Sequence, residues 1–477
     1  MQPPPNILFI FADQHRHDVM GCAGHDIVST PNLDRLANQG VRFIEAWCQS
    51  PICQPSRASV ITGRYAHELG VIHNTGGFDP EWPTVMKQLQ STGYETATIG
   101  KTHYHESYQP PEEEGEVDMQ SYAPFVRSFG WDYVLEEYDK YLHVEDRLRT
   151  PYTDYLAQYG LLDAYKNQIR GVFRLTDTHW RGETSVLTQE HDLTSFLASK
   201  AEDWLRQRDN TKPFFLKLAF VQPHVPLIDD PEWTEYYATA PISVPEQTPA
   251  EPVNETWAGY LTRLNDHSQA QVMDEDFIRN GIRHYLGMVS LVDQKIGKVI
   301  TSLQALGQLD NTWIIYTGDH GEMLGEHHLW AKMNFYRGSV QVPLIIVPPG
   351  GMQPRVEKGL VELTDVTATL ADIGNVQAPT GCHGRSLLPA LTGQLDGREI
   401  LHSRIGNYAA IRTARHRFTA HLKTETACEL FDLSNDPHER SNLVNDPASD
   451  ALISDLRATL LDHESSSGTS SSNLETS

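Results

Sequence analysis

Residues 6–14, NILFIFADQ, decide the fold class. The apolar part, NILFIFA, is a short continuous run, which is typical of a strand buried on both faces, as in a parallel sheet. The run ends at two polar residues, Asp13 and Gln14. Thr30 and Pro31 then supply an N-cap and a first helical position, and Gly40 ends this helix. The chain therefore begins with a strand followed by a helix.

The same alternation continues along the chain. Because strands alternate with helices, we expect an α/β fold with a mainly parallel central sheet sandwiched by helices. Residues 105–182 show no clear pattern, and we expect an irregular insertion there. In chain order, the further predicted elements are a helix at 84–92, a strand at 94–99, a helix at 185–208, a strand at 214–220, a helix at 274–309, and strands at 312–317 and 342–347.

The C-terminal part has a different pattern. After about residue 380, shorter alternating segments precede a predicted helix at 451–461. This change predicts a large domain over 1–380 and a smaller α+β subdomain over 381–463. Residues 464–477 are dominated by Ser, with Thr, Gly and Asn, so we expect a disordered tail.

The net charge limits the partners of the chain. At pH 7 the 477 residues carry a formal charge of -25, which repels nucleic acid and anionic membranes at long range. We expect neither as a partner, and an anionic substrate needs a locally positive cleft. No apolar run approaches the roughly 20 residues that span a bilayer. No export signal is visible, so we expect a cytoplasmic protein, or an exported one if a leader has been removed.

Charged or metal-capable residues follow four of the predicted strands. Ligands bind outside the carboxyl ends of parallel strands, so we expect these residues to converge. Taken singly, each is more often found in a salt bridge or on a solvated surface. Asp13, Asp319 and His320, together with Gln14, offer a mostly hard ligand set, which suits calcium, magnesium or manganese. The residues that follow the four strands are Asp13, Lys101, His224, Asp319 and His320.

Residues 53–64, CQPSRASVITGR, form a helix-like stretch that begins at Cys53. The N-terminal amides and dipole of such a helix attract an anion. A lone cysteine is more often a small buried hydrophobe. This segment nevertheless resembles the signature of the sulfatase family, whose Cys-x-Pro-x-Arg core is recognised by an oxidising enzyme that converts the cysteine to formylglycine.

Further segments resemble the same family, which has an alkaline-phosphatase-like fold. Residues 7–43 are similar to its first metal-binding segment, and residues 316–346 to its second. GKTHYH at 100–105 resembles its Gly-Lys-x-His element, and QPHVP at 222–226 its Pro-His-x-Pro element. Residues 429–443 resemble the closing strand and turn of its C-terminal subdomain. The larger domain is then the catalytic one.

The resemblance implies a metal site completed by the modified residue 53. Calcium is the ion that it favours, with manganese or magnesium as alternatives. Many members have Asp where Gln14 stands and Asn where His320 stands, which makes the site of this chain less anionic. The implied ligands are Asp13, Gln14, modified Cys53, Asp319 and His320.

The resemblance also implies how sulfate esters are cleaved. Formylglycine hydrates to a geminal diol, one hydroxyl attacks sulfur, and the other allows sulfate to be eliminated again. Charge on the sulfuryl oxygens would be balanced by the metal and by nearby cations. The implied catalytic residues are Cys53, Arg57 as its support, Lys101, His103 as partner of the diol, and His224 and Lys332 as candidate acids, between which the sequence does not choose.

Two residues have a weaker case. His73 and Arg181 could line the substrate entrance, but structural or solvent-facing roles are expected equally often.

We therefore expect a sulfatase that acts on a small-molecule or oligosaccharide sulfate ester, best a sulfated carbohydrate. Its maturation would need a formylglycine-generating enzyme as partner. Two alternatives stay open: a phosphonate or phosphate monoester hydrolase on the same scaffold, and a non-catalytic protein that binds sulfated glycans. The intact Cys53 argues against the second alternative.

Overall fold

A sheet of eight strands forms the centre of the computed structural model, which describes residues 4–105, 115–174, 180–246, 260 and 273–467. Its neighbouring strands are parallel, except on both sides of the strand at Leu344–Val347. The expected mainly parallel α/β fold is confirmed. In spatial order the strands are β13 (Arg355–Glu357), β2 (Val41–Phe43), β12 (Leu344–Val347), β11 (Thr312–Gly318), β1 (Asn6–Ala12), β9 (Phe214–Phe220), β4 (Glu95–Gly100) and β6 (Tyr133–Glu136).

The first strand, β1, lies between β11 and β9 and is buried along its whole length. Its side chains alternate between the two faces of the sheet. Ile7 and Phe9 belong to one hydrophobic core, and Leu8 and Ile10 belong to the other. This explains why the run is apolar at every position.

Helices cover both faces of the sheet, and the two cores lie between the helices and the sheet.

No helix of the described residues is long and apolar enough to cross a membrane. The α-helices are α1 (Pro31–Ala37), α2 (Cys53–Thr62), α3 (Val85–Ser91), α4 (Ala123–Arg127), α5 (Pro151–Gln158), α6 (Leu162–Arg174), α7 (Leu193–Gln207), α8 (Pro231–Tyr237), α9 (Glu275–Ala305), α10 (Arg337–Val340), α11 (Leu363–Ile373) and α12 (Asp450–Ser466). Short 3-10 helices occupy Gly21–Ala23, Met119–Tyr122, Gln189–His191, Leu309–Asn311, Glu326–His328, Leu388–Thr392 and Pro447–Ser449.

Residues 105–182 contain regular elements in their described part, so the expectation of an irregular segment is wrong there. β6 runs parallel to β4 and forms the edge of the sheet. Pro151 at the start of α5 and a capping box on Thr150 are helix-start signals that the sequence contained. Residues 106–114 and 175–179 of this segment lie outside the described residues.

The helix predicted at 185–208 begins only at Leu193. Residues Glu183–Thr184 (β8) instead pair with Ile228–Asp229 (β10) in a separate two-stranded ladder. The carboxylate of Asp192 accepts the N–H of Thr194 at 2.7 Å and caps the helix.

Beyond the central sheet lies an antiparallel C-terminal sheet, as the sequence predicted. One face of this sheet packs on a core of the central sheet, and α12 covers the other. Two short ladders complete the strands, β3 (Ala46–Trp47) with β14 (Val361–Glu362) and β5 (Val117–Asp118) with β7 (Leu148–Arg149). The C-terminal strands are β15 (Leu401–Ile405), β16 (Tyr408–Arg412), β17 (His416–His421) and β18 (Thr426–Asp432).

The last helix continues to Ser466, past residue 464, where the disordered tail was expected to begin. Glu464 is buried, and its carboxylate accepts from His402 Nε2 and from Arg404 Nη1, both at 2.6 Å. These bonds tie the end of α12 to β15. Residues 468–477 lie outside the described residues.

A buried carboxylate joins two helices on one face of the sheet. Asp293, on α9, accepts the backbone N–H groups of Leu33 (2.7 Å) and Asn32 (3.1 Å) in the first turn of α1. It also accepts the side-chain amide of Asn32 at 2.9 Å. Asp293 therefore satisfies N–H groups that the N-terminus of α1 leaves without partners inside the helix.

Replacing Asp293 by Ala should lower the free energy of unfolding by about 1–3 kcal/mol, because buried N–H donors lose their acceptor. The measurement is urea denaturation followed by circular dichroism. Asp276→Ala is the matched control, since this residue lies on the same helix in an exposed pair with Arg279. Equal midpoints for the two variants would contradict the capping role.

Candidate active site

The carboxyl ends of the strands converge as expected. β1 leads into Asp13, β11 into Asp319, and β4 into Lys101. The helix that begins at Cys53 places its first turn against the same point, because Cys53 Sγ lies 3.1 Å from His320 Nε2. All of these side chains are buried.

Arg57 joins the strand ends to one another. Its Nε donates to Asp319 Oδ2 at 2.8 Å, and its Nη2 donates to Asp13 Oδ2 at 3.0 Å. The remaining Nη1 donates to the backbone carbonyl of Lys101. A planar guanidinium can bind several acceptors in fixed directions, so Arg57 sets the spacing of the two carboxylates.

A group of side chains with the geometry of a metal site lies at this point. Cys53 Sγ is 3.9 Å from Asp13 Oδ1, and His320 Nε2 is 3.7 Å from Asp319 Oδ1. Separations of this size leave space for a cation at about 2.0–2.6 Å from each ligand. In the maturation that the sequence resemblance implies, a formylglycine oxygen would take the place of the Cys53 thiol. The ligand atoms of Asp13, Cys53, Asp319 and His320 all lie within 4.8 Å of one another.

His320 is prepared to offer a lone pair to this site. Its Nδ1 lies 3.0 Å from the carbonyl oxygen of Gly321, which can only accept, so Nδ1 has the hydrogen. Burial is the main reason that the pKa of His320 lies below its ordinary value, so the ring is neutral. Its Nε2 therefore faces the cluster with a free lone pair, as a metal ligand requires.

Gln14 lies beside the cluster in a left-handed backbone conformation with φ 65°. Such a conformation is uncommon for a residue other than glycine and is found at functional sites. Its N–H donates to Asp319 Oδ1 at 3.0 Å, and its Oε1 accepts from Lys332 Nζ at 2.7 Å. Its Nε2 donates to Glu322. The proposed role of Gln14 as a ligand stays a prediction.

Lys101 bridges two buried carboxylates. Its Nζ lies 2.5 Å from Asp13 Oδ2 and 2.6 Å from Asp139 Oδ1. Burial alone would lower the pKa of Lys101, but these two charges outweigh it and raise the pKa well above its usual range. Burial likewise would raise the pKa of Asp13, yet the charges of Lys101 and Arg57 hold it well below the ordinary value. Both groups are therefore charged.

His103 lies in a turn that is held by a neighbouring carboxylate. Glu136, at the end of β6, accepts from Thr102 N (2.9 Å), Thr102 Oγ1 (2.7 Å) and His103 N (3.3 Å). Burial and then the charge of Lys101 hold the pKa of His103 well below its usual range, so its ring is neutral. A neutral imidazole can accept a proton.

His224 and Lys332 form a pair beside the cluster. His224 Nε2 is 2.9 Å from Lys332 Nζ, and its Nδ1 is 2.8 Å from the carbonyl oxygen of Val225. Asp139 Oδ1 lies 3.7 Å from the same Nδ1. His224 and Lys332 thus lie together, as predicted, and both connect to the residues around Asp13.

The two weaker predictions fall on exposed residues. His73 is exposed in the loop where Asn74 Oδ1 accepts from the backbone N–H of Gln54 at 3.0 Å. The guanidinium of Arg181 lies over the ring of Phe277 at 5.9 Å. A substrate-binding role for either residue stays a prediction.

Three buried carboxylates of the site were not among the sequence predictions. Asp139 and Glu136 follow the apolar residues of β6, so the strand-end signal existed, but it lay inside the segment taken as irregular. Glu322 lies close to Asp319 in the second metal-binding segment, and its Oε1 accepts from Leu324 N at 3.1 Å. Because Glu322 follows Asp319 closely in the sequence, it could have been identified as a further carboxylate of the same segment.

Comparisons with known proteins agree with this geometry. The family described as Sulfatase matches residues 5–376, and the family described as N-sulphoglucosamine sulphohydrolase, C-terminal, matches residues 325–466. An arylsulfatase of Clostridium perfringens is 27% identical over 96% of this chain and 94% of its own length. An N-acetylglucosamine-6-O-sulfatase of Bacteroides thetaiotaomicron is 26% identical over 92% of this chain and 82% of its own length.

Among solved structures, a phosphonate monoester hydrolase of Agrobacterium radiobacter shares the fold. The two superpose with a TM-score of 0.80 at 24% identity, over 97% of this chain and 96% of the other. At that identity the likeness concerns the fold alone.

A mainly parallel sheet with metal-capable carboxylates at its strand ends, facing a buried cysteine at the start of a helix, defines an alkaline-phosphatase-like hydrolase. Within that class, the chain belongs to the sulfatase family and is a sulfuric ester hydrolase. Membership implies, in general, a metal ion and a formylglycine nucleophile. The oxygen ligands, neutral imidazole and residue 53 of this chain fit both groups.

Replacing Arg57 by Lys should weaken the binding of Ca²⁺ and of Mn²⁺ by about 10–100-fold, because a single ammonium cannot hold both ligand carboxylates in place. Competition with a chromophoric chelator measures both affinities. Arg64→Lys is the matched control, because Arg64 pairs with Glu68 and lies over Trp82. Unchanged affinity in Arg57→Lys would contradict the positioning role of the guanidinium.

Proposed function

We propose that this sulfatase hydrolyses the sulfate ester of a carbohydrate through a formylglycine made from Cys53. The observation that carries the proposal is the cluster of Asp13, Cys53, Asp319 and His320 at the start of α2. The family relationship supports the reaction, and the name of the N-acetylglucosamine-6-O-sulfatase relative supports the substrate class.

The nucleophile would come from residue 53. Once hydrated, formylglycine would supply a diol: one hydroxyl attacks sulfur while the bond from sulfur to the alcohol oxygen breaks and the alcohol leaves. Loss of the proton of the second hydroxyl would then expel sulfate and restore the aldehyde. The neutral ring of His103 is the proposed acceptor of the diol proton, since its turn is anchored next to Lys101 by Glu136. Asp139 would act as a positioning residue, because it holds Lys101 at 2.6 Å.

Calcium is the proposed ion, held by Asp13, Asp319, His320 and residue 53, with Gln14 as a further ligand. Carboxylate oxygens favour calcium or magnesium, whereas the imidazole of His320 also suits manganese. When bound, the ion supplies positive charge next to the sulfuryl oxygens. Lys101 and Lys332 would balance the remaining charge, and Arg57 would keep the ligands in place.

Lys332 is the better candidate for the acid that protonates the leaving oxygen. His224 Nδ1 lies 2.8 Å from the carbonyl oxygen of Val225, which can only accept, so Nδ1 donates there and Nε2 is left to accept from Lys332. An ammonium has three N–H donors, and Gln14 and His224 accept two from Lys332. The third remains for the substrate. His224 would then orient Lys332.

A phosphonate or phosphate monoester hydrolase is the second candidate. It is favoured by the fold shared with the phosphonate monoester hydrolase, whereas the named sulfatase relatives favour the first.

Protein produced together with a formylglycine-generating enzyme should lose mass at Cys53 and hydrolyse 4-nitrophenyl sulfate. Peptide mass spectrometry and release of nitrophenolate measure the two results, and Cys53→Ala is the inactive control. Modified protein that hydrolyses only the matching phenyl phosphonate would establish the rival activity. Sulfate hydrolysis by Cys53→Ala would exclude residue 53 as the nucleophile.

Replacing Lys332 by Met should lower kcat/KM for N-acetylglucosamine 6-sulfate by about 10²–10⁴-fold, as expected for the loss of a general acid. The loss should be much smaller with 4-nitrophenyl sulfate, because nitrophenolate leaves without a proton. Steady-state kinetics of Lys332→Met and His224→Asn on both substrates make the comparison. If only His224→Asn shows this substrate dependence, His224 is the acid.

A further inference from the structure

A second cavity lies outside the cluster of strand-end residues. It has a volume of 810 Å³ and is bounded by the outer side of α7, the end of α5, and Lys295 and Lys298 on α9. Because none of the proposed catalytic residues lines it, the reaction gives this cavity no role.

One wall of the cavity is aromatic. The rings of Tyr155 and Tyr159 lie 5.0 Å apart at 58°. Tyr155 Oη bonds to His191 Nδ1 at 2.8 Å, which fixes the orientation of this ring. Tyr159 is 58% exposed, so a face of its ring is open to a ligand. Such rings offer flat faces to the apolar side of a ligand.

The other walls are polar, with both signs of charge. Lys295 is buried, and its Nζ donates to Gln189 Oε1 at 3.1 Å. Burial, and then the charge of Lys298, lowers the pKa of Lys295 to about 8. The lining has as many carboxylates as ammonium groups, with Glu190, Glu202 and Glu232 opposite Lys200, Lys295 and Lys298.

We propose that this cavity binds a saccharide unit of a carbohydrate chain. A sugar ring stacks its C–H face on an aromatic side chain, and its hydroxyls both donate to carboxylates and accept from ammonium groups. A bare anion is matched less well than a sugar, since Glu190 and Glu232 oppose it, while Glu202 is paired with Arg206 at 3.0 Å. The inference rests on the proposed carbohydrate substrate.

The cavity is connected to the catalytic end of the sheet. Gln189 on its wall lies just before Asp192, whose Oδ2 accepts from Gln222 Nε2 at 3.2 Å. Gln222 begins the loop that contains His224. Because Asp192 and Gln222 are both buried, this link between the cavity wall and the loop of His224 runs through the interior of the protein.

The test uses the full-length protein and desulfated hexasaccharides of chondroitin, heparin and carrageenan, which lack the group that the catalytic centre cleaves. At least one should bind in isothermal titration calorimetry. Tyr159→Ala should weaken this binding about fivefold, because a stacking face is lost. Tyr236→Ala is the matched control, since Tyr236 is 61% exposed and does not line the cavity.

Three results would overturn the proposal: binding of none of the hexasaccharides, an equal loss in both tyrosine variants, or displacement of the hexasaccharide by inorganic sulfate alone. Hydrolysis of 4-nitrophenyl sulfate, measured in parallel, separates this inference from the proposed function. If the enzyme cleaves 4-nitrophenyl sulfate but binds no hexasaccharide, the proposed function stands and the saccharide site is rejected. If the protein binds a hexasaccharide through Tyr159 but cleaves no sulfate ester, the saccharide site stands and the proposed function is rejected.

Discussion

The buried guanidinium of Arg57 is the interaction on which the arrangement of the site depends. It holds carboxylates from the ends of β1 and β11 and the carbonyl that follows β4, and it lies on the helix that begins at Cys53. The proposed nucleophile and the candidate metal ligands are thereby fixed to one another by a single side chain. Removing one partner would leave buried charges uncompensated, which is among the most costly changes in a protein interior.

The local charge balance explains how a chain with a net charge of -25 can act on anions. Arg57, Lys101 and Lys332 are matched by the nearby carboxylates of Asp13, Asp139 and Asp319. These side chains alone are close to neutral. A divalent cation adds the positive charge that an incoming sulfate ester requires, so metal binding and substrate binding are linked by electrostatics.

Much of the fold and of the site could be predicted from the sequence, because strand-end residues and caps leave local signals. The apolar run before Asp13 and the Pro-led helix starts are such signals. Asp139 was missed because the strand that precedes it, β6, is short and lies at the edge of the sheet. Tertiary contacts with β4, and not the local sequence, decide whether such a strand forms. The role of Asp293 could not be predicted, since its partners on α1 are distant in sequence.

The choice between sulfate and phosphonate esters depends on the groups around the central atom. Both monoesters have one negative charge, so overall charge cannot distinguish them, whereas a phosphate monoester dianion differs by a full charge. A sulfuryl group presents three oxygens, and a phosphonyl group replaces one of them by carbon. A site that offers a cation to every oxygen favours sulfate, because a carbon substituent would leave one buried cation unpaired. With a cation in the cluster, Lys101 beside Asp13 and Lys332 beside Gln14 would bring the positive groups to three, one for each sulfuryl oxygen, which is the number that favours sulfate.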